Sequence, residues 1–133
     1  MDKKFINPPT LSTPSGYTHA VTIEGGGKLI YISGQVSYDK HGTLVGKGDF
    51  HAQARQVHEN LVAALAAAGA KPADVVKINS YVVNYKPEHR ALLREIRGAI
   101  FDKEHPPAST LVGVQALALE DFMLEVEAIA VIR

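Results

Sequence analysis

The segment FMLEVEAIAVI, Phe122–Ile132, decides the fold, because it places two carboxylates in an otherwise apolar stretch of strand length. Successive side chains of a strand point to opposite faces, so Glu125 and Glu127 share one face and Leu124 lies on the other. A charge among apolar neighbours is costly unless it is paired or functional. Two interpretations stay open: a solvated patch at an edge or interface, and a cleft in which burial tunes a carboxylate for proton transfer.

Length and composition indicate one domain over residues 1–133, with 46% hydrophobic residues and a formal net charge of zero. A chain without basic excess lacks the electrostatic signature of nucleic-acid binding. Because the sequence has no cysteine, disulfides, a thiol nucleophile and thiolate metal ligands are excluded. The N-terminus has no apolar run of the signal-peptide type, and no segment approaches the roughly 18 apolar residues of a membrane span. We therefore expect a soluble, cytoplasmic protein that binds neither nucleic acid nor membrane.

The N-terminal part of the chain predicts three strands. After an irregular arm rich in proline, Tyr17–Ile23 forms a strand and turns at residues 24–27 into a returning strand, Lys28–Ser33. The triple glycine of this turn leads into a strand and not into a helix, which predicts a hairpin loop and argues against a phosphate-binding loop. A second turn precedes a short strand at Thr43–Val45.

The remainder of the chain alternates helix and strand. Asp49 caps a helix that Gly69 ends, because apolar residues recur between them at helical spacing. A strand at Val75–Val83, a helix that begins at Pro87 and a strand at Ser109–Val114 follow. The order β-β-β-α-β-α-β-β predicts an α+β fold, with a mixed sheet and two helices packed on one face. The other face keeps apolar residues, which favours a homo-oligomer with sites between subunits.

Two histidines of the first helix are candidates for metal binding. His51 and His58 lie on one face, but two turns separate them by roughly 10 Å at 1.5 Å rise per residue. That separation is too large for one metal ion, so we predict no metal site and a solvated position for both histidines. Gln53 lies off the apolar stripe of the same helix.

The second helix carries an arginine run that could bind an anion, formed by Arg90, Arg94 and Arg97. Glutamates are interspersed with it, so the spacing favours an exposed helix face with local ion pairs. Ser33 ends a strand outside any Gly-x-Ser-x-Gly elbow, which argues against a nucleophile. The remaining interpretations are a hydroxyl that hydrogen-bonds ligand or water and, more favoured, a structural serine at the strand end.

Seven segments of the chain carry a larger pattern. They are Gly16–Tyr17, Ile32–Val36, Ala52–Gln56 with Asn60 and Leu61, Ala67–Gly69, Asp74–Lys77, Pro107–Ala108 and Glu125–Ala130. Together and in this order they resemble the Rid family (reactive intermediate deaminases, also called YjgF proteins), over nearly the whole chain. The resemblance implies a chorismate-mutase-like α+β subunit, a homotrimer and small-molecule clefts between subunits.

The resemblance also implies a site. Well-studied members hydrolyse reactive enamines and imines to 2-oxo acids and ammonia, without metal or cofactor. By matching segment, Glu125 positions the attacking water, and Tyr17 and Ser33 help to shape the site. In such members an arginine directly after the Pro-Ala pair binds the substrate carboxylate, whereas this chain has Ser109 and then Thr110.

A serine hydroxyl supplies neither the charge nor the bidentate geometry of arginine. The resemblance therefore predicts a hydrolase with an altered substrate, in which Ser109 and Thr110 contact the ligand. That ligand is neutral, or its anion is held elsewhere, for instance by the backbone N–H of Thr110. The alternatives are a non-catalytic trimer that binds a small metabolite, and an endoribonuclease or translation inhibitor. Neutral charge and the lack of an aromatic stacking series argue against the latter.

Overall fold

The computed structural model describes residues 1–133 and contains two β-sheets and two α-helices. The strands are β1 (Asp2–Ile6), β2 (Ala20–Glu24), β3 (Lys28–Gln35), β4 (Val75–Val83), β5 (Ala108–Val114) and β6 (Leu124–Ile132). The helices are α1 (Phe50–Ala67) and α2 (Pro87–Ile100), and a short 3-10 helix lies at Pro72–Asp74. Neither α-helix is long and apolar enough to span a bilayer.

The larger sheet has the strand order β3-β6-β4-β5, in which β4 and β5 are parallel and the other pairs antiparallel. Helices α1 and α2 pack on one face of it, and the core lies between them and the sheet. The face of β6 that the alternation predicts to be apolar is buried there, through Leu124, Val126, Ala128 and Ala130. The predicted mixed sheet with two helices on one face is confirmed.

The N-terminal strands pair differently from the prediction. Strand β1 is absent from the sequence prediction, and it pairs with β2 in a separate two-stranded sheet. The predicted hairpin between the second and third strands is wrong, because β3 pairs with β6. Gly25, Gly26 and Gly27 all have positive φ, which glycine adopts readily, and they carry the chain from one sheet to the other. The predicted strand at Thr43–Val45 reduces to a single bridge between Tyr38 and Leu44.

Helix α1 begins and ends as predicted, but two of its polar residues do not lie where the stripe indicates. Asp49 Oδ1 accepts a hydrogen bond from the Ala52 N–H at 3.1 Å, and Gly69 takes a φ of +84° after the helix. Gln53 and His58, however, are buried. The predicted solvated position is therefore wrong for His58, whose Nδ1 lies 2.7 Å from the Ala54 carbonyl oxygen.

Candidate functional site

The open face of the larger sheet carries an acidic cluster, formed by Glu125, Glu127, Asn79 and Tyr81. The antiparallel register of β4 and β6 sets Tyr81 opposite Glu125 and Asn79 opposite Glu127. Glu127 Oε1 accepts hydrogen bonds from the Tyr81 hydroxyl and, at 3.3 Å, from Asn79 Nδ2. The bond to Glu127 raises the pKa of Tyr81 above its ordinary value, and burial and the charges of both glutamates act in the same direction. Glu127 is therefore engaged within the cluster.

Glu125 is half-buried, and its carboxylate takes part in no hydrogen bond or ion pair. It lies against Gly34, where an added Cβ would overlap the Glu125 Oε2 atom. The register of β3 and β6 shifts between Ile32 and Gln35, so Ser33 and Gly34 occupy a β-bulge beside this carboxylate. Bulges of this kind re-aim side chains and are frequent next to active sites. The structure thus brings the predicted residues Ser33 and Glu125 together, and Gly34 is the neighbour that the sequence prediction lacks.

Amide side chains of α1 hold the start of β6, which carries Glu125, and the end of β3, which carries the bulge. Gln53 Nε2 donates to the carbonyl oxygens of Gly46 and Asp121 at 3.1 and 2.9 Å, and its Oε1 accepts from the Met123 N–H at 2.9 Å. Asn60 Nδ2 donates to the carbonyl oxygens of Val36 and Tyr38, just beyond the bulge, at 3.0 and 2.8 Å.

These bonds fix the start of β6 and the end of β3, because a buried amide that lost such partners would be costly. Gln53 and Asn60 are positioning residues, and both belong to the segments that carry the Rid resemblance. Helical periodicity assigns Gln53 to the polar side of the helix. It misses the buried position because periodicity carries no information about backbone groups of distant segments that pack against the helix.

A basic cluster, formed by Arg94, Arg97 and Ser109, lies on the helix side of the larger sheet. The register of β4 and β5 pairs Ser109 with Ile78, which is buried beneath the helices. Arg97 Nη1 donates to Ser109 Oγ at 2.8 Å, and Arg94 Nη2 donates to Ser15 Oγ at 2.6 Å. Ser109 is therefore in contact with an arginine that comes from α2.

The predicted ion pairs of the arginine run are wrong. Arg90, Arg94 and Arg97 have no carboxylate within 4.0 Å. Arg97 is half-buried, and its Nε lies in the interior without a hydrogen-bond partner. Burial, and then the charges of Arg94 and Arg90, lower the pKa of Arg97. The guanidinium keeps its charge nonetheless, since an arginine in a protein is effectively always protonated.

The basic cluster borders a cavity of about 250 Å³, whose lining includes Ser15, Gly16, Arg94, Arg97, Pro107 and Ser109. The Thr18 N–H and hydroxyl donate to the carbonyl oxygens of Pro107 and Pro106, which ties the segment around Tyr17 to this side. Tyr17 is half-buried, and its ring packs edge-on against His19 with 5.2 Å between the ring centroids. Tyr17 therefore directly follows Gly16, a residue of the cavity wall, in the sequence.

Thr110 points away from Ser109. It is exposed on the side of Asn79, and its Oγ1 accepts a hydrogen bond from Lys77 Nζ at 2.7 Å. The five predicted site residues thus fall into two groups in one chain. Glu125, Ser33 and Thr110 lie at the open side of the sheet, whereas Ser109 and the Tyr17 segment lie with the basic cluster.

Comparison with known proteins agrees with this architecture. Residues 9–132 match the protein family described as Endoribonuclease L-PSP. A protein of Dermatophagoides farinae named 2-iminobutanoate/2-iminopropanoate deaminase is 32% identical over 134 residues, which is 98% of this chain and 98% of that protein. The crystal structure of Yersinia pestis YyfB, a protein of unknown function of the conserved Rid family, superposes with a TM-score of 0.89 at 42% identity, over 99% of this chain and 100% of YyfB.

The chain belongs to the Rid family. RidA from the Antarctic bacterium Psychrobacter sp. PAMC 21119 is similar as well, with a TM-score of 0.69 and 34% identity over 91% of this chain and 92% of that one. The Rid relationship confirms the predicted chorismate-mutase-like α+β fold.

Proposed function

We propose that this protein is a Rid-type hydrolase that converts an imine or enamine to a carbonyl compound and ammonia, with Glu125 as the acid/base residue. The observation that carries the proposal is the Glu125 carboxylate, which has no partner of its own at the bulge of β3, while Glu127 is engaged by Tyr81 and Asn79. The deaminase name of the similar Dermatophagoides farinae protein supports the reaction class.

The chemistry requires one group that accepts and returns a proton. The reacting species is an imine protonated at nitrogen, which an enamine also gives when it is protonated at carbon. Glu125 takes a proton from a water molecule as the water oxygen attacks the carbon of this C=N bond, which gives a neutral amino alcohol. The carboxyl group then returns this proton to the nitrogen. As the C–N bond breaks and ammonia leaves, Glu125 takes the hydroxyl proton and a C=O bond forms, and the carboxyl group finally gives that proton to the departing ammonia. Ser33 and Tyr17 hydrogen-bond the reacting groups, and Ser109 and Thr110 contact the rest of the ligand. No metal or cofactor takes part in these steps.

We propose further that the site forms between subunits of a homotrimer. Glu125 and Ser109 lie on opposite sides of the sheet of one chain, so a small molecule that contacts both requires a second copy. The open face of the sheet is suited to contact another subunit, because Tyr31, Leu29 and Val112 are 73%, 52% and 40% exposed. A C₃ assembly of this kind repeats one heterologous contact three times.

Substitution of Glu125 tests the catalytic part of the proposal. Ammonia release from freshly generated 2-iminobutanoate is compared between the wild-type protein and Glu125→Gln. We expect the variant to lose about a hundredfold or more in rate, because an amide cannot accept the proton from water. Light scattering and thermal unfolding show whether the variant keeps the assembly and fold of the wild type.

Glu127→Gln is the matched control, since it removes a carboxylate from the same face and strand. We expect it to lose less than about tenfold, because Glu127 acts through Tyr81 and Asn79 and not on the water. Equal activity of Glu125→Gln and the wild type contradicts the role of Glu125. Saturable binding of a metabolite without any product from the wild type favours the non-catalytic alternative.

A further inference from the structure

The basic cluster supplies a positive charge at the position where the Rid resemblance places an arginine and this chain has a serine. We infer that Arg97 binds the carboxylate of the substrate, with Arg94 in support and Ser109 as the residue that orients the guanidinium. This inference rests on the proposed function and names its substrate class: an imine or enamine that carries a carboxylate. Of the two ligands expected from the sequence, a neutral molecule and an anion held elsewhere, it favours the second, in the form of a small organic acid.

Arg97 has hydrogen-bonding capacity that the chain itself leaves unused. A guanidinium has five N–H donors in a planar fork. One nitrogen, Nη1, donates to Ser109 Oγ at 2.8 Å, and Nε is buried without a partner. A charged group in such surroundings is destabilised unless an opposite charge approaches it. A carboxylate that bridges two guanidinium nitrogens provides both that charge and the missing acceptors.

Two arginines give the cavity wall its charge. Arg94 and Arg97 both border the cavity, and neither has a carboxylate within 4.0 Å. Asp102, which also borders it, accepts hydrogen bonds from the backbone N–H groups of Glu104 and His105 and is therefore already engaged. The wall thus presents an excess of positive charge to whatever enters, which attracts an anion and disfavours a neutral or cationic ligand.

The cavity is small. Its volume of about 250 Å³ lies below the roughly 300 Å³ at which pockets for drug-sized ligands begin. A short-chain organic acid fits such a space, and a polymer does not. The anion lies between α2 and β5, so the uncharged remainder of the ligand extends toward the opening and toward a neighbouring subunit.

The contact between Arg97 and Ser109 explains how this chain keeps a guanidinium at the carboxylate-binding position without an arginine at position 109. Arginine at position 109 would extend from β5, whereas Arg97 reaches the same point from α2. The Ser109 hydroxyl accepts a hydrogen bond from Arg97, so the serine has become part of the support of the guanidinium. The two positions are therefore expected to compensate for each other.

Binding of 2-oxobutanoate, the product expected from 2-iminobutanoate, tests the inference without turnover. Isothermal titration calorimetry compares this acid with its methyl ester for the wild type, Arg97→Gln, Arg97→Lys and Arg90→Gln. We expect Arg97→Gln to weaken binding of the acid by roughly ten- to a hundredfold and to leave the ester unchanged. Arg97→Lys keeps the charge without the fork and gives an intermediate loss. Arg90→Gln, which removes an exposed arginine of the same helix, changes the affinity by less than about twofold.

The double variant Arg97→Gln, Ser109→Arg moves the guanidinium from α2 to β5. We expect it to recover affinity for the acid to within about threefold of the wild type, since a bidentate partner is present again. The recovery also separates loss of binding from loss of folding, and thermal unfolding of each variant is measured in parallel. Failure of the wild type to bind the acid, equal affinity of Arg97→Gln and the wild type, or a preference for the ester each overturns the inference.

The outcomes distinguish this inference from the proposed function. Glu125→Gln is expected to bind 2-oxobutanoate with wild-type affinity, since its carboxylate acts on water. Binding through Arg97 by a wild-type protein that releases no ammonia would reject the hydrolase and keep the anion site. Ammonia release that is insensitive to Arg97→Gln would reject the anion site and keep the hydrolase.

Discussion

The two faces of the larger sheet carry opposite charge near the candidate site. The acidic cluster lies on the open face, where the Glu125 carboxylate has no partner, whereas the basic cluster lies between α2 and β5, where Arg97 donates to Ser109 and its Nε has no partner. Ser109 and Thr110 are neighbours in the sequence, yet strand alternation sends them to different sides. Adjacency in a motif therefore does not mean membership of one site, and a ligand that contacts both clusters needs two chains.

The strongest test of this comparison is complementation between chains. Glu125→Gln and Arg97→Gln are each expected to have little activity as homo-oligomers at a substrate concentration below KM, because every site lacks one of its two charges. Co-expressed with different tags, they form mixed assemblies in which some sites combine an intact Glu125 with an intact Arg97. Random association restores about one quarter of the wild-type activity in ammonia release.

The control is a mixture of the two proteins after separate purification, under conditions without subunit exchange, which is expected to stay inactive. Co-expressed variants that stay inactive, although tag pull-down shows that they associate, would mean that both charges come from one chain. The two-sided arrangement would then not describe the active site.

A smaller effect is expected from Gly34→Ala, which acts on the acidic side alone. The added Cβ overlaps Glu125 Oε2, the end of a flexible side chain, so the carboxylate moves while the backbone stays. We expect about a tenfold loss in kcat, a typical result when a catalytic group is displaced from its position. Thermal unfolding is expected to change little. In the Glu125→Gln background the same substitution is expected to cost nothing further in rate, and an undiminished loss there would contradict this explanation.

The smallest expected effect is a pH dependence of the free energy of unfolding that comes from His58. Burial lowers the pKa of His58 below its ordinary value of 6.5, and the charge of Arg97 acts in the same direction, against the hydrogen bond to Ala54. Below pH 6.5 His58 binds a proton in the unfolded chain but stays neutral in the folded chain. The free energy of unfolding therefore falls as the pH drops from 6.5 toward the folded pKa, by at most about 1.4 kcal/mol per pH unit.

Urea unfolding at pH 7.5 and 5.5 measures this contribution. We expect the wild type to lose more stability on acidification than His58→Leu, which has no proton to take up at this position. His89, whose pKa is lowered as well, is present in both proteins, so the difference isolates His58. An equal loss in both proteins would show that His58 is not kept neutral by the fold.

Much of the fold follows from the sequence, because hydrophobic periodicity is local. The cap at Asp49, the apolar stripe of α1 and the alternation in Phe122–Ile132 each depend on a few residues and are confirmed. Strand pairing is not local, and alternation does not name a partner. For that reason β1 is missed and β3 is assigned to a hairpin, although its partner lies at the other end of the chain.

The candidate site shows the same difference between local sequence patterns and long-range contacts. Glu125 and Ser33 are found by matching segments, and the structure brings them together around a glycine that no side-chain pattern reveals. The arginine run is visible in the sequence, but helical spacing assigns it to an exposed face. Only the packing of α2 against β5 brings Arg97 to Ser109. Spacing in a sequence predicts which residues share a face, and it does not predict what that face meets.

The position of β6 in the larger sheet has a consequence for synthesis. This strand bonds with β3 on one side and β4 on the other, yet it follows both of them in the chain. A ribosome therefore delivers β3 and β4 with unpaired edges, and such edges are templates for aggregation. Slow elongation between β4 and β6 would prolong that exposure, and chaperones that hold nascent chains would be needed most in this interval. The strand that brings Glu125 to the site also ends the most vulnerable period of biosynthesis.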